Sequence, residues 1–507
     1  MLAKTFGSAL VGIHASIITI ETHVGQGSKC YLVGLPDSTI KESIQRVESA
    51  IKQIGYFFPR RKVVINLAPA DIRKEGSGYD LPIALGLLQA SEQTKMTRLS
   101  DFVIMGELSL TGEIRPIKGA LSMAMEAKKQ GFTSLILPLE NAVEAALIEG
   151  VEIFGMQTLR ETIRFLHGRP QHPIQAPTPL PDEFPYEDDF SQIKGQEKAK
   201  RAIEIAVAGG HNLLLIGPPG AGKTMMARRI PSIMPPMSLS EIIETTQIHS
   251  IVGKLSTEHP LITVRPFRSL HHSITSPALI GGRTNPQPGE ISLAHQGVLF
   301  LDELPEFQRH VLELLRQPLE ERKVPISRAQ GTVEFPANFL LIAAMNPCPC
   351  GYFHHPEKPC TCKPYQVDRY LHRISGPLLD RIDMHLEVFP LKYPAMFTKE
   401  ASEASSTIRD RVIQARNTQK ARFMEQALRT NAEMNAVQVK AVCHLDAGSS
   451  RLLQSAIEKL QLSARAHDRI LKMARTIADL AQAKDIEAKH VAEAINYRNL
   501  DRENWAG

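Results

Sequence analysis

The residues best suited to chemistry lie in one short run, Gly217-Pro218-Pro219-Gly220-Ala221-Gly222-Lys223-Thr224. Glycines at 217, 220 and 222 let backbone N–H groups converge on phosphate oxygens, where a side chain would block the approach. Lys223 then neutralises the β and γ charges of a nucleotide, and the Thr224 hydroxyl is a magnesium ligand. An apolar run, Leu213 to Ile216, leads into the loop, and a helical pattern from Lys223 to Ile230 leaves it. A phosphate loop requires this strand–loop–helix context, because the helix N-terminus adds positive potential where the phosphates sit.

Downstream, Val298-Leu299-Phe300-Leu301-Asp302-Glu303 is an apolar strand ending in two acids. Asp302 is placed to hold the magnesium shell and Glu303 to polarise an attacking water. A further apolar strand, Phe339 to Ala343, leads to Asn346 before a proline, where an amide orients water or senses phosphate loss. Arg381, in Gly376-Pro377-Leu378-Leu379-Asp380-Arg381, is a candidate to stabilise transition-state charge on a neighbouring subunit's phosphate, with Arg373 competing. Later, Ser463-Ala464-Arg465-Ala466-His467-Asp468-Arg469 offers an arginine to close over the nucleotide, and Arg465 and Arg469 compete for that role.

Four of the six cysteines crowd into Cys348, Cys350, Cys360 and Cys362. In a long chain without an export signal this spacing points to reduced thiols or a tetrahedral zinc site. His271 and His272 are adjacent, and a polar or nucleic-acid contact fits them better than a metal. Between Arg322 and Pro336, apolar alternation on both sides of Ala329-Gln330-Gly331 predicts a β-hairpin. Arg322, Lys323 and Arg328 on it are candidate DNA contacts, unless they pair with Glu320, Glu321 or Glu334.

These groups need several domains to position them, and 507 residues exceed what one hydrophobic core supports. Lys+Arg at 59 against Asp+Glu at 54 gives +5, a mild basic excess that permits a polyanion partner without requiring one. From Arg169 to Pro185 six prolines interrupt any helix or central strand, so residues 169–188 read as a linker. Before it, residues 1–168 alternate strand runs (Val63 to Leu67, Phe102 to Met105, Ser134 to Leu137) with helical patterns (Ser38 to Ile54, Tyr79 to Ala90, Ala120 to Gln130). After it, residues 189–395 read as a parallel α/β unit holding the phosphate loop, and 396–507 as a helical region. The Thr5 to Ile20 stretch reads as a strand and not as a signal peptide, and no run is long enough to span a bilayer. A cytoplasmic location is expected.

Four stretches, GGHNLLLIGPPGAGKT (209 to 224), PFRSLHHSITSPALIGG (266 to 282), PGEISLAHQGVLFLDELPEF (288 to 307) and RISGPLLDRID (373 to 383), resemble the ComM/YifB family of magnesium-chelatase-like AAA+ proteins. The resemblance covers nearly the whole chain. It implies an AAA+ core at 189–395 with an insertion at roughly 250 to 290, a helical lid, a pre-sensor hairpin pointing into the pore of a homo-hexamer, ATP and Mg2+ as cofactors, and movement of branched DNA in recombination and natural transformation. The alternative is a chelatase-type motor that remodels a protein partner; the resemblance favours DNA because chelatase motors are expected to lack the N-terminal domain. That domain is similar to the Lon peptidase fold, through GELSLTGEIRPIKGALSMAMEAKKQGF (106 to 132) and RKEGSGYDLPIAL (73 to 85). The Lon lysine position falls on Leu121 and the serine position on Gly78, with Ser77 one residue early, so a Lon-like scaffold without peptidase activity is expected.

Overall fold

The computed structural model describes residues 1–176, 186, 188–282, 286–328, 331–355, 357–390, 402–424, 428–460 and 462–498. Most of the proline-rich stretch, the expected boundary at 396, and Ala329 and Gln330 of the hairpin tip lie outside the described residues.

The N-terminal part is a seven-stranded mixed sheet. Its order is Cys30–Val33, Lys62–Ala68, His14–Gly25, Leu2–Val11, Phe102–Ile104, Ser134–Pro138 and Glu152–Met156. The long first pair is antiparallel, from Leu2 opposite His23 to Val11 opposite His14. Its alternation puts Ile18 and Ile20 into the core, as a period-2 pattern requires. Helix Asp80–Ala90 is apolar nearly all round and buries every residue except Gln89, because the sheet takes one face and helix Ser38–Gln53 takes part of the other.

The second sheet has five strands, ordered Phe267–Leu270, Val298–Leu301, Leu340–Met345, Leu213–Ile216 and Met384–Glu387. All four pairings are parallel. The three central strands are buried along their whole length, the expected state of strands covered on both faces. Since every strand runs the same way, their C-terminal ends share one edge, where an open α/β sheet builds its site. The structure corrects one expectation here. The segment at roughly 250 to 290 is not all insertion, because Phe267–Leu270 within it is an edge strand of the main sheet.

Helices Ser405–Arg422, Ala436–Val442, Ala447–Leu460, Ala464–Leu480 and Ala488–Asn496 form the C-terminal region. The first lies against helices Glu197–Gly209 and Lys223–Ile233, and the fourth also meets Glu197–Gly209. Inside, the buried Asp479 carboxylate accepts from Arg422 at 2.9 Å, Arg475 at 3.1 Å and Asn431 at 2.8 Å, so its charge is fully compensated.

The two α/β parts are joined by side-chain contacts as well as by the chain. Gln247, on helix Leu239–Val252, donates to the Ile13 carbonyl at 2.9 Å and to Ser122 Oγ at 3.1 Å. Ser250 accepts from the Gly119 N–H at 3.1 Å. Ile13, at the N-terminal hairpin turn, belongs to the apolar core of the second sheet. Beside it Gly12 has φ +62, and a Cβ there would stand 2.0 Å from Val333 of the 323–336 hairpin. Only glycine fits that approach.

Candidate nucleotide site

The site follows from the register of the second sheet. Strand Leu213–Ile216 ends at Gly217, where any Cβ would lie 2.1 Å from the Val388 carbonyl oxygen. The loop then turns through Gly222 at φ +84, which starts helix Lys223–Ile233. Parallel pairing of Leu301 with Ala343 sets the Asp302-Glu303 step beside the end of the Asn346 strand.

The side chains interlock at this edge. Lys223 Nζ donates to the Gly217 carbonyl at 2.6 Å, the Pro218 carbonyl at 3.1 Å and Asn346 Oδ1 at 3.2 Å. The Thr224 hydroxyl donates to Asp302 Oδ2 at 2.7 Å. Burial pulls the Lys223 ammonium below the ordinary lysine value, while the carboxylates of Asp302 and Glu303 oppose that shift. Glu303 is half exposed and takes a left-handed backbone at φ +53, uncommon outside glycine and found where a side chain must be aimed. Pro219, Gly220, Ala221, Asp302, Glu303 and Asn346 are among the residues enclosing a cavity of about 350 Å³. Thr224 and Asp302 fit a magnesium ion, since two oxygens side by side leave room for the waters that Mg2+ retains.

The arginines are placed elsewhere. The Arg381 side chain is largely buried, donates to the Pro377 carbonyl at 2.6 Å and pairs with Glu320. Arg373 pairs with Glu306 at 2.8 Å and donates to the Pro305 carbonyl. The structure does not bring Arg465 over the phosphate loop of its own chain. It stands exposed, 3.7 Å from Asp380, because the helical region packs against the backs of helices Glu197–Gly209 and Lys223–Ile233. Arg469 donates to the Ile382 carbonyl and pairs with Asp383 at 3.5 Å. Arg381 and Arg469 share a second cavity, of about 980 Å³, at the opposite, N-terminal end of the strands.

The four cysteines converge. Their sulfurs lie within 4.8 Å of one another, with 3.3, 3.7 and 3.5 Å separating Cys348, Cys350 and Cys360. Four sulfurs held at Zn–S distances in a tetrahedron are about 3.8 Å apart, so the set fits a structural zinc ion. Burial acts to raise the Cys350 thiol, but backbone N–H groups of Tyr352 and Thr361 bring it down to about 5, favouring the thiolate donor. This loop touches the nucleotide site, because a Cβ on Gly351 would meet Pro219 Cδ at 2.6 Å.

The hairpin forms from Lys323–Arg328 and Gly331–Pro336, with Lys323 opposite Pro336 and Arg328 opposite Gly331. Two of the three basic residues form ion pairs, the alternative to a DNA contact, and for Lys323 the partner is one of the acids the sequence offered. Arg322 meets Glu433 of the helical region, and Lys323 meets Glu334 across the strands at 2.9 Å. Arg328 is exposed and, among the described residues, has no ion-pair partner. Residues not singled out for the site also reach it: His272 Nδ1 lies 3.6 Å from Glu303 Oε2. The signal was the unrecognised strand before it, since a histidine pair at a strand end beside the acidic strand must face the acids.

In the N-terminal part, the positions that the Lon resemblance gives to the serine and the lysine, Gly78 and Leu121, are tightly packed. A Cβ on Gly78 would meet Met105 Cε at 3.0 Å and Ile117 at 3.3 Å, and Leu121 is fully buried in the core. Ser77 hydrogen-bonds Glu107, with no lysine at the Leu121 position to activate it.

Profiles described as "Magnesium chelatase, subunit ChlI", "Subunit ChlI of Mg-chelatase" and "Magnesium chelatase, subunit ChlI C-terminal" match residues 189–396, 20–141 and 402–498. The chain is 45% identical to YifB of Salmonella typhimurium over 505 residues, 99% of this chain and 98% of that protein. It is 43% identical to the competence protein ComM of Haemophilus influenzae over 507 residues, 99% of this chain and 98% of ComM. The likeness to Lon is partial: 26% identity to Lon protease 1 of Hydrogenovibrio crunogenus, over 32% of this chain and 21% of that protein. With the phosphate loop, paired acids and terminal asparagine in register on one parallel sheet, the chain belongs to the magnesium-chelatase-like family of YifB and ComM.

Proposed function

We propose that this protein is an AAA+ ATPase that works as a homo-hexameric ring in the cytoplasm and moves branched DNA during recombination, including natural transformation. The observation that carries the hydrolysis reading is the interlock of Lys223 with Asn346 and of Thr224 with Asp302 around one cavity. Backbone N–H groups of residues 217–222 and the Lys223 ammonium hold the nucleotide phosphates. Thr224 and Asp302 would hold magnesium, which when bound supplies positive charge to the nucleotide phosphates. Glu303, half exposed at the cavity rim, orients and deprotonates the attacking water, and Asn346 fixes its line of approach. Arg381 and Arg465, which lie away from their own loop, serve the phosphate of a neighbouring copy and complete the site only in the ring. Cys348, Cys350, Cys360 and Cys362 would hold a zinc ion, which would supply a structural crosslink to the loop that packs beside Pro219. The N-terminal part acts as a platform and not as a peptidase, since the position the Lon resemblance gives to the serine is Gly78 and the one it gives to the lysine is Leu121, neither of which carries a nucleophile or a base.

The DNA reading is supported by the end-to-end likeness to ComM and by the exposed Arg328 on the hairpin, which among the described residues has no ion-pair partner. The N-terminal domain does not by itself separate DNA from a chelatase partner, because the profile matching residues 20–141 also bears a chelatase subunit's name. Steady-state ATP turnover with no DNA, single strands, duplex and a four-way junction tests the proposal. Stimulation by DNA, greatest with the junction, is expected; turnover indifferent to all three would leave the protein-remodelling motor in its place.

A further inference from the structure

Strand register sets the outer face of the N-terminal sheet. Leu2 stands opposite His23, His23 opposite Val64 and Val64 beside Tyr31, so these four side chains form one row across four neighbouring strands. Ala3, Val24 and Val63, next to them in the chain, are buried in the core, so the two-residue period turns the row away from it. Leu2 is 52% exposed and Tyr31 44%, and His23 is exposed as well. A solvated sheet face is ordinarily polar, so an apolar and aromatic row on it calls for a partner.

The rows on either side carry charge. One residue back from the Cys30 and Val63 pair, Lys29 stands beside Lys62. On the other side lie Lys4, Glu21, Asn66 and Val33. Glu21 is the one acid in the three rows, and it already pairs with Lys4 at 3.5 Å and accepts from Asn66 at 3.1 Å. Arg60 and Arg61 extend the basic end, and among the described residues Lys29, Arg60, Arg61 and Lys62 have no ion-pair partner. Lys62 Nζ lies 5.6 Å from the centroid of the Tyr31 ring, a weak contact at an exposed site that leaves its charge available. The His23 ring lies over Gly25, where a Cβ would stand 2.8 Å from Cε1, so a side chain at 25 would push the ring off the face.

We propose that this face binds single-stranded nucleic acid, with unpaired bases stacked on Tyr31 and His23 and the phosphates held by Lys29, Lys62 and the Arg60-Arg61 step. Four strands span about 14 Å, room for two or three bases. A second copy laid on the same face would oppose like charges, which disfavours self-association there. From Leu2 to the Gly12 turn the strand runs about 30 Å, so this surface and the 323–336 hairpin engage different stretches of one substrate. The inference deepens the DNA reading above and rests on it.

The test is binding of a labelled oligothymidylate and of a duplex of equal length across a salt series, with ATP turnover and sedimentation measured alongside, for the parent, Tyr31→Ala, Tyr31→Phe and Lys62→Ala. Tyr31→Ala is expected to weaken single-strand binding about fivefold or more, the lower end of one base stacked on an aromatic ring, with duplex binding and basal turnover unchanged. Tyr31→Phe, which keeps the ring, is expected to bind like the parent. Lys62→Ala should lower the single-strand salt slope by about 0.7, the share of one phosphate. Single-strand binding by Tyr31→Ala equal to the parent's, a Tyr31→Phe as weak as Tyr31→Ala, or an equal loss on single strand and duplex each overturns the inference. Altered sedimentation of Tyr31→Ala at unchanged affinity assigns the face to contact between copies and overturns it as well. In all of those results the parent still binds DNA; a parent that binds neither nucleic acid, with turnover indifferent to both, overturns the DNA reading beneath it.

Discussion

The two α/β parts of this chain differ in what stands at the place where each fold would put its chemistry. In the N-terminal sheet, the place where a Lon-type nucleophile would stand is a glycine whose missing Cβ is crowded by Met105 and Ile117, and the partner position is the buried Leu121. In the second sheet, Lys223, Thr224, Asp302 and Asn346 close on one another around a cavity of about 350 Å³. A fold is kept by its core, whereas an activity is kept by a few side chains at its edge, so one can be lost without the other. The N-terminal sheet has instead become a contact surface, inserting Ile13 into the core of its neighbour.

The strongest way to break this comparison is to change one side chain in each site. Glu303→Gln should keep nucleotide binding and lower turnover by about 10²–10⁴-fold, the ordinary worth of a positioned base; Lys223→Ala should lose binding. Ser77→Ala should leave every activity intact, and a peptide-hydrolysis signal that disappears with it would reverse the contrast between the two sheets.

Next in size is the cysteine loop, which sharpens the claim that the second site is braced from outside. Purified protein should carry about one zinc per chain by elemental analysis, as a closed four-thiolate site does. Cys360→Ser should lose the metal and, through Gly351 against Pro219, impair nucleotide binding. Metal-free protein with unaltered binding would detach the loop from the site.

The contact between the two parts is tested by Gly12→Ala. At φ +62, with Val333 2.0 Å from the new Cβ, the substitution should cost about 1–3 kcal/mol, read as a lowered Tm. It should also blunt DNA stimulation while sparing basal turnover, and a variant indistinguishable from the parent would make the inserted turn an ornament of packing.

Smallest is Arg328→Ala, which should weaken DNA binding and reduce the salt slope by about one, with basal turnover and assembly intact. Lys323→Ala should do less, because that residue already spends its charge on Glu334 across an exposed pair. Equal effects from the two would make the hairpin a general basic surface and not a specific grip.

The phosphate loop, its acidic strand and Asn346 were legible in the sequence because the constraints are local. Gly217, Gly220 and Gly222 are demanded by backbone approach and turn geometry within a few residues, and apolar runs mark the strands that carry them. The expectation of a Lon-like scaffold without a catalytic dyad rests on residue type alone, glycine at 78 and leucine at 121, and is equally local. The strand Phe267–Leu270 was not, because as an edge strand with the polar Arg268 and Ser269 it lacks the apolar run that betrayed its neighbours. With it went the meeting of His272 and Glu303. The engagement of Arg381 with Glu320, of Arg465 with Asp380 and of Arg322 with Glu433 was decided only by the tertiary structure. Long charged side chains find partners by where helices dock, and that is settled by summed apolar packing across the whole chain and not by any motif around the arginine.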